Sequence, residues 1–163
     1  MTRTIHVLLL ILLSPITAQA LDVEELYGTW KVLSFTQHFV ETGETKDVFG
    51  KTPTGFLSYS RDGRMNAILV SDTRPRPAEM AQATTEEKAQ LLTSMYAYTG
   101  TFTVDGNTVI HHIDVSWNEN WTGTEQVRNV RLEADKLYIS TNPQSNGFDG
   151  KIIVGELVWE KVK

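Results

Sequence analysis

Eight short runs rich in β-branched and aromatic residues follow one another along the chain, and in the central runs apolar positions alternate with polar ones. This two-residue period is typical of β-strands that bury one face. Clusters of Gly, Asp, Asn, Pro and Ser separate the runs, and these residues favour turns and loops. We predict strands over residues 30–40, 54–60, 64–71, 98–104, 107–116, 123–133, 136–141 and 151–161.

Two segments have the pattern of short helices instead. Asp22, followed three residues later by Glu25, predicts a capped helical turn over residues 21–27. Thr84 and Glu87 have the same spacing and predict a helix between the third and fourth strands. The apolar face of this helix would consist of Leu91, Leu92, Met95 and Tyr96. We expect the helix to act as a lid or plug.

The order of the predicted strands indicates an all-β fold, an eight-stranded antiparallel up-and-down β-barrel with space for one small ligand. Asp-Gly turns at residues 62–63 and 105–106 and an Ala-Asp turn at 134–135 join alternate strand pairs, whereas the other connections are long. Alternate connections of such a barrel lie at opposite ends, so tight turns close one end and the other end has a mouth. Trp30, which starts the first strand, is then a plug at the closed end.

The two-residue turns predict the register of the central strands. They place Gly100 opposite His111, and a pairing of Ser116 with Gly123 places His111 opposite Arg128. The first, second, third and eighth strands have mixed faces, and we assign no interior to them. The inward-facing residues of the central strands are then Tyr98, Gly100, Phe102, Val109, His111, Ile113, Val115, Gln126, Arg128, Val130, Leu132, Leu137, Ile139 and Thr141.

Polar residues of this inward set form the candidate site. Burial of an uncompensated charge is costly, so Arg128 inside a barrel requires an anion, ordered water or a route to solvent. Such a cationic region above an apolar floor suits an apolar or amphipathic small molecule with a carboxylate, phenolate or enolate group. Gly100 would leave space opposite His111. The candidate ligand-binding residues are His111, Arg128, Gln126, Tyr98, Thr141, Gly100 and Phe102.

The same residues allow a catalytic interpretation. A cyclase, isomerase or dehydratase without a cofactor would use His111 as general base, Arg128 to hold a developing oxyanion and Tyr98 as a proton donor. Tyr59 and Tyr96 would serve equally well, but the faces on which they lie are unassigned.

Two further interpretations involve no ligand. Arg128 would pair with an internal carboxylate, Glu156 or Asp149, and His111 would be an ordinary buried histidine with satisfied hydrogen bonds. Alternatively, the barrel would be filled with side chains and the protein would act as an interaction module.

A metal site is not predicted. Successive residues of a strand point to opposite faces, so His111 and His112 cannot reach one ion, and outside residues 1–20 only His38 supplies a further imidazole. The chain has no cysteine. No nucleotide-binding or nucleophile motif occurs, and we predict no cofactor.

The first 20 residues have the pattern of a secretory signal peptide. Arg3 precedes an apolar run over residues 5–13, and Ala18-Gln19-Ala20 is a small-x-small cleavage site. We expect cleavage after Ala20, a single domain over residues 21–163, and a secreted or periplasmic, soluble protein. The apolar run is about half of the ~20 residues that a transmembrane helix needs. Loss of Arg3 changes the formal net charge from −5 to −6, which disfavours nucleic acid as a partner.

The chain also resembles a known family. GTWKVLSF, FGKTPTGFLSYSRDGRM, AYTGTFTVDGNTVIHHIDVSWNENWTGTEQVR and the terminal LVWEK are similar to the lipocalin-like domain family of bacteria and fungi. The resemblance covers nearly the whole of residues 21–163, and the HHIDVSWNENWTGTEQVR block is its most specific part. It implies a barrel with a small-molecule pocket.

Overall fold

A computed structural model describes residues 21–145 and 150–163. The predicted signal peptide, over residues 1–20, and Asp149 therefore lie outside the described residues. No helix in the described ranges is long and apolar enough to cross a membrane.

The described chain forms one antiparallel sheet that closes on itself. The eight long strands pair in chain order, and pairing of the first long strand with the last completes a barrel. This confirms the predicted all-β, eight-stranded up-and-down barrel. The barrel strands are β1 (Gly28–Phe39), β3 (Thr54–Tyr59), β4 (Arg64–Val70), β5 (Met95–Asp105), β6 (Thr108–Ser116), β7 (Glu125–Glu133), β8 (Lys136–Ser140) and β10 (Ile152–Lys161).

Two short strands add to the edges of the sheet and were not predicted. The strand β2 (Thr45–Asp47) pairs with β1, and β9 (Gln144–Ser145) pairs with β10. Both lie in the long connections at the open end. They are too short to show a periodic pattern of apolar residues.

Helix α1 (Val23–Leu26) begins after Asp22, whose carboxylate accepts a hydrogen bond from the Glu24 backbone N–H at 3.0 Å, which confirms the N-cap. Helix α2 (Thr85–Thr93) begins with the predicted capping box.

The apolar face predicted for α2 is wrong. Met95 and Tyr96 belong to β5, and no residue of α2 is buried. The chain leaves the helix at Ser94, the C-cap, because the neighbouring strand β4 pairs with Met95 and Tyr96. Tertiary pairing thus outweighs the local helical pattern.

Trp30 lies at the closed end, as predicted. Its side chain is buried, and its indole N–H donates to the Leu26 carbonyl at 2.8 Å. The Lys161 ammonium lies 4.2 Å from the centre of its ring. The first helix and the last strand are therefore both fixed to this tryptophan.

The turns at the closed end differ in detail from the prediction. The first is a three-residue loop over 61–63, closed by the Ser60 N–H bonded to the Arg64 carbonyl at 2.8 Å, with Gly63 at φ 80°. The second is centred on Gly106 and Asn107 rather than on residues 105–106. The turn at 134–135 is confirmed, since Glu133 pairs with Lys136.

The moved turn displaces the predicted pairing of β5 with β6 by two residues. Phe102 faces His111, and Gly100 faces Ile113, so the predicted pair of Gly100 and His111 is wrong. The pairing of β6 with β7 is also displaced by two, which places His111 opposite Gln126 instead of Arg128. A shift of two leaves every side chain on its predicted face, because strands alternate with a period of two.

A bulge at Asp114 overturns one face assignment. Thr99 pairs with Val115 and Gly100 with Ile113, so Asp114 is an extra residue in β6. Beyond it the faces are exchanged, and Val115, predicted to face inward, is 62% exposed. A Cβ at Gly100 would lie 1.8 Å from the His112 carbonyl oxygen. Glycine at this position therefore lets the bulged backbone approach and does not leave open space.

The strands without a predicted interior supply much of the core. Their buried residues are Trp30, Val32 and Phe35 of β1, Leu57 and Tyr59 of β3, Met65, Ala67 and Leu69 of β4, and Ile153 and Trp159 of β10.

Replacement of Ala134 by glycine is expected to stabilise the protein. Ala134 has φ 52°, a left-handed conformation that costs an L-residue roughly 1–2 kcal/mol. The greater freedom of glycine in the unfolded chain offsets part of that gain. Urea denaturation should show a free energy of unfolding higher by about 0.5–1 kcal/mol.

The same substitution at Ala89, in the interior of α2, is the control. Glycine lowers helix propensity, so Ala89→Gly should lose up to about 1 kcal/mol. A loss of similar size in both variants would show that Ala134 is not strained.

Candidate functional site

A partly enclosed cavity lies inside the barrel. It offers about 70 Å³ that the centre of a water molecule can occupy, and one water needs about 10–15 Å³ by this measure. The lining is mostly apolar, with contributions from Leu57, Leu69, Ile139, Leu157 and Trp159. A small number of polar groups among apolar walls is the usual composition of a small-molecule site.

The structure brings four of the seven candidate ligand-binding residues to this cavity. Tyr98, His111, Arg128 and Thr141 all line it. Gln126 is half-buried beside them, and its side-chain oxygen accepts a hydrogen bond from Arg128 at 3.3 Å.

The other two candidates lie elsewhere in the barrel. Gly100 lies at the bulge of β6, where its missing side chain accommodates backbone. Phe102 packs in the core, with its ring centre 4.7 Å from that of Tyr59 and 6.4 Å from that of Tyr27.

His111 is 1% exposed and lies between two tyrosines. Its Nε2 is 2.7 Å from the Tyr59 hydroxyl, and its Nδ1 is 3.2 Å from the Tyr98 hydroxyl. Burial lowers the pKa of His111 well below its usual value, and the charges of Arg128 and His112 lower it further. The imidazole is therefore neutral at neutral pH, with one donor and one acceptor nitrogen.

Arg128 is 8% exposed. One terminal nitrogen donates to the Val127 carbonyl at 2.9 Å and the other to Gln126 Oε1 at 3.3 Å. A guanidinium has five N–H groups, so donors are left for another acceptor.

No carboxylate of residues 21–145 or 150–163 forms an ion pair with this arginine. Glu156, considered as an internal partner, is instead 2.7 Å from His38. Asp149, the other carboxylate considered, lies outside the described residues. Within the described chain, the charge of Arg128 is compensated only by neutral oxygens.

Trp159 presents a further donor. It is buried and lines the cavity, and its indole N–H has no hydrogen-bond acceptor in the described part of the chain. An unpartnered buried donor is unusual in a folded protein, and a bound water or ligand is a common reason for one.

Aromatic side chains surround the open end of the cavity. Trp121, in the connection between β6 and β7, lines the cavity and lies 5.8 Å from Tyr98 between ring centres. Tyr96 lies 4.6 Å from Trp117, which in turn lies 4.8 Å from Trp121. Helix α2 supplies no residue to the lining. It contacts the aromatic group through Leu92, whose carbonyl accepts a hydrogen bond from the Trp117 indole N–H at 3.2 Å.

The sequence offered Tyr59 as a possible proton donor but did not assign its face, and it did not identify Trp159 as a member of the site. Both lie on strands whose two faces are mixed, because apolar residues also occupy the outer face. Phe56 and Ile68, for example, are 42% and 47% exposed on β3 and β4. The predicted two-residue turn at 62–63 would pair Tyr59 with Asn66, whereas the observed three-residue loop pairs Tyr59 with the buried Met65 and places both inside.

The two adjacent histidines separate as strand geometry requires. His112 is partly exposed on the outside, with Nδ1 3.1 Å from Glu125 and Nε2 3.0 Å from Thr103. Across the described ranges, no group of three His, Asp or Glu side chains is placed to hold a metal ion.

The chain belongs to the lipocalin-like domain family, whose model matches residues 27–162. Among curated proteins, it is similar to the 4'-hydroxy-3'-methoxypropiophenone carrier protein of Aspergillus oryzae, with 38% identity over 71 residues. That match covers 39% of this chain and 64% of the relative, so the chain spans less than two thirds of the relative's length.

Two solved structures are also similar. A lipocalin-like protein of Bacteroides uniformis ATCC 8492 has 12% identity and a TM-score of 0.45, over 85% of this chain and 99% of that one. An uncharacterized protein from Bacteroides eggerthii DSM 20697 has 13% identity and a TM-score of 0.41, over 84% of this chain and 99% of that one.

Acidification should destabilise the protein partly through His111. Its pKa is lowered on folding from an unfolded value of about 6.5, so below that pH the unfolded chain binds more protons than the native one. The free energy of unfolding therefore falls as the pH falls from 6.5 toward the native pKa of His111, by no more than about 1.4 kcal/mol per pH unit from this residue. In His111→Gln, the free energy of unfolding should therefore fall less steeply between about pH 7 and 5 than in the wild type.

His38→Gln is the control for this comparison, because it removes a partly exposed histidine and retains His111. Between about pH 7 and 5, its free energy of unfolding should fall more steeply than that of His111→Gln, because this variant retains His111. Equal slopes for His111→Gln and the wild type would show that His111 is not desolvated.

Proposed function

We propose that the barrel binds an apolar small molecule with an acidic oxygen group, and that Arg128 binds this group. The observation that supports the proposal most directly is a buried guanidinium beside a cavity, with spare donors and no carboxylate partner in the described chain. A guanidinium donates a shorter and stronger hydrogen bond to a charged oxygen, such as that of a carboxylate or phenolate, than to a neutral one.

Two further observations support an acceptor-bearing ligand. The unpartnered indole N–H of Trp159 in the cavity wall needs an acceptor as well. The Aspergillus relative is named for a phenolic aryl ketone, a compact apolar molecule with an acidic phenol at one end and a carbonyl at the other. This chemistry matches a cavity whose apolar walls carry hydrogen-bond donors.

Binding is favoured over acid–base catalysis by the state of His111. Both ring nitrogens are within hydrogen-bond distance of tyrosine hydroxyls, and burial lowers the pKa of the ring. A general base needs a pKa near the working pH and an unoccupied nitrogen that faces the substrate. His111 has neither feature.

The first test compares two probes in a titration of the intrinsic tryptophan fluorescence, since Trp121 and Trp159 both line the cavity. 4'-Hydroxy-3'-methoxypropiophenone should bind at least about tenfold more tightly than 3',4'-dimethoxypropiophenone, which differs by methylation of the phenol. Arg128→Met should abolish that preference. It should also retain or raise the free energy of unfolding, because it removes a buried charge without an ionic partner.

Arg131→Met is the matched control. Arg131 lies on the same strand, faces outward, pairs with Glu133 and stacks 4.0 Å from the Tyr138 ring centre. This variant should keep the wild-type preference for the phenol. Equal affinity of the wild type for the two probes, or an Arg128→Met variant that still prefers the phenol, would refute the proposed role of Arg128.

We also propose that the protein acts outside the cytoplasm, in a secreted or periplasmic location. The support is the charged, apolar and small-residue pattern of residues 1–20. Mass spectrometry of the exported protein should find a mature chain that begins at Leu21. An intact N-terminus on protein recovered only from the cytoplasm would contradict this proposal.

A further inference from the structure

The contacts of His111 decide what the neighbouring cavity residue Tyr98 can do. A neutral imidazole donates through one nitrogen and accepts through the other. Of the two tyrosine hydroxyls that His111 contacts, one must therefore donate to the ring and the other must accept from it. Two arrangements satisfy this rule, and they differ in which tyrosine keeps a hydrogen for another partner.

The burial of Tyr59 shows which of the two arrangements is favoured. Its side chain is fully buried and does not line the cavity, and within the described chain His111 is the one hydrogen-bond partner of its hydroxyl. If Nε2 carried the hydrogen, Tyr59 would accept it, and the Tyr59 hydrogen would be buried without an acceptor. Such a donor costs about 1–3 kcal/mol.

The opposite arrangement gives both ring nitrogens of His111 and the Tyr59 hydrogen a partner. Tyr59 donates to Nε2, and Nδ1–H donates to the Tyr98 oxygen. Burial raises the pKa of Tyr59 well above its usual value, which keeps its hydrogen in place. The hydrogen of Tyr98 is then directed away from His111, and Tyr98 lines the same cavity as Arg128.

We infer that His111 is held as the Nδ1–H tautomer and makes the Tyr98 hydroxyl a fixed donor to the ligand, in the cavity that Arg128 also lines. The inference rests on the proposed function and narrows the ligand class. The ligand group that contacts Tyr98 accepts a hydrogen bond, as a phenolate or carboxylate oxygen does, and an ammonium group, which has no acceptor, does not fit at this position. Tyr98 and Arg128 contact the ligand, whereas His111 and Tyr59 are positioning residues.

Nitrogen-15 NMR of the imidazole tests the tautomer without any ligand. Long-range proton–nitrogen correlations should show His111 Nδ1 with the shift of a protonated nitrogen and Nε2 with that of an unprotonated one. In Tyr59→Phe the donor to Nε2 is lost, and both tautomers should become populated. A protonated Nε2 in the wild type would overturn the inference, whatever the binding data show.

Affinity for 4'-hydroxy-3'-methoxypropiophenone tests the donation by Tyr98. Tyr98→Phe removes one hydroxyl and keeps the ring, so binding should weaken about tenfold, the size of one hydrogen bond to a charged acceptor. Tyr138→Phe is the control, because this tyrosine lies on the outside beneath Arg131. Its affinity should equal that of the wild type.

The outcomes separate this inference from the proposed function. Unchanged affinity in Tyr98→Phe, together with loss of affinity in Arg128→Met, would leave the function intact and overturn the donation by Tyr98. Absence of binding to the wild type would refute the proposed function with this probe and would also refute the donation. The NMR result would still show which ring nitrogen of His111 carries the hydrogen.

Discussion

Pairing between β1 and β10 closes the sheet, and the interior depends on this closure. The two strands pair from Trp30 with Lys161 to Phe39 with Ile153, which leaves no open edge along the barrel. A closed barrel shields its inner residues from water on all sides, so polar groups inside must be satisfied by the protein or by what it binds. At the closed end, around Trp30, the interior is mostly apolar and meets this requirement. In the middle of the barrel, some polar groups are not satisfied by the protein itself.

The polar groups in the middle of the barrel are satisfied to different degrees. His111 has a tyrosine at each nitrogen. Among the described residues, Arg128 has only neutral oxygens as acceptors, and the Trp159 N–H has no acceptor. The unmet capacity consists of hydrogen-bond donors of two residues that line the cavity, Arg128 and Trp159, which is why an acceptor-bearing ligand fits it. A filled barrel without ligand would require an acceptor for each of these donors within the chain.

The sequence predicted those parts of the fold that local signals determine. The strand order, the capping box at Thr84 and the inward faces of His111 and Arg128 were predicted, the last because a register error of two residues leaves the faces unchanged. The bulge at Asp114 depends on contact with Gly100 on another strand, so no local pattern reveals it. The contact of Tyr59 with His111 joins residues 52 apart in the chain and could not be read from either strand alone.

Native mass spectrometry of protein purified from its natural host would show directly whether a bound ligand satisfies Arg128. A non-covalent adduct of one small acidic molecule is expected on the wild-type protein and should be absent from Arg128→Met purified in the same way. Bare protein in both samples, or the same adduct on both, would show that Arg128 does not hold a ligand.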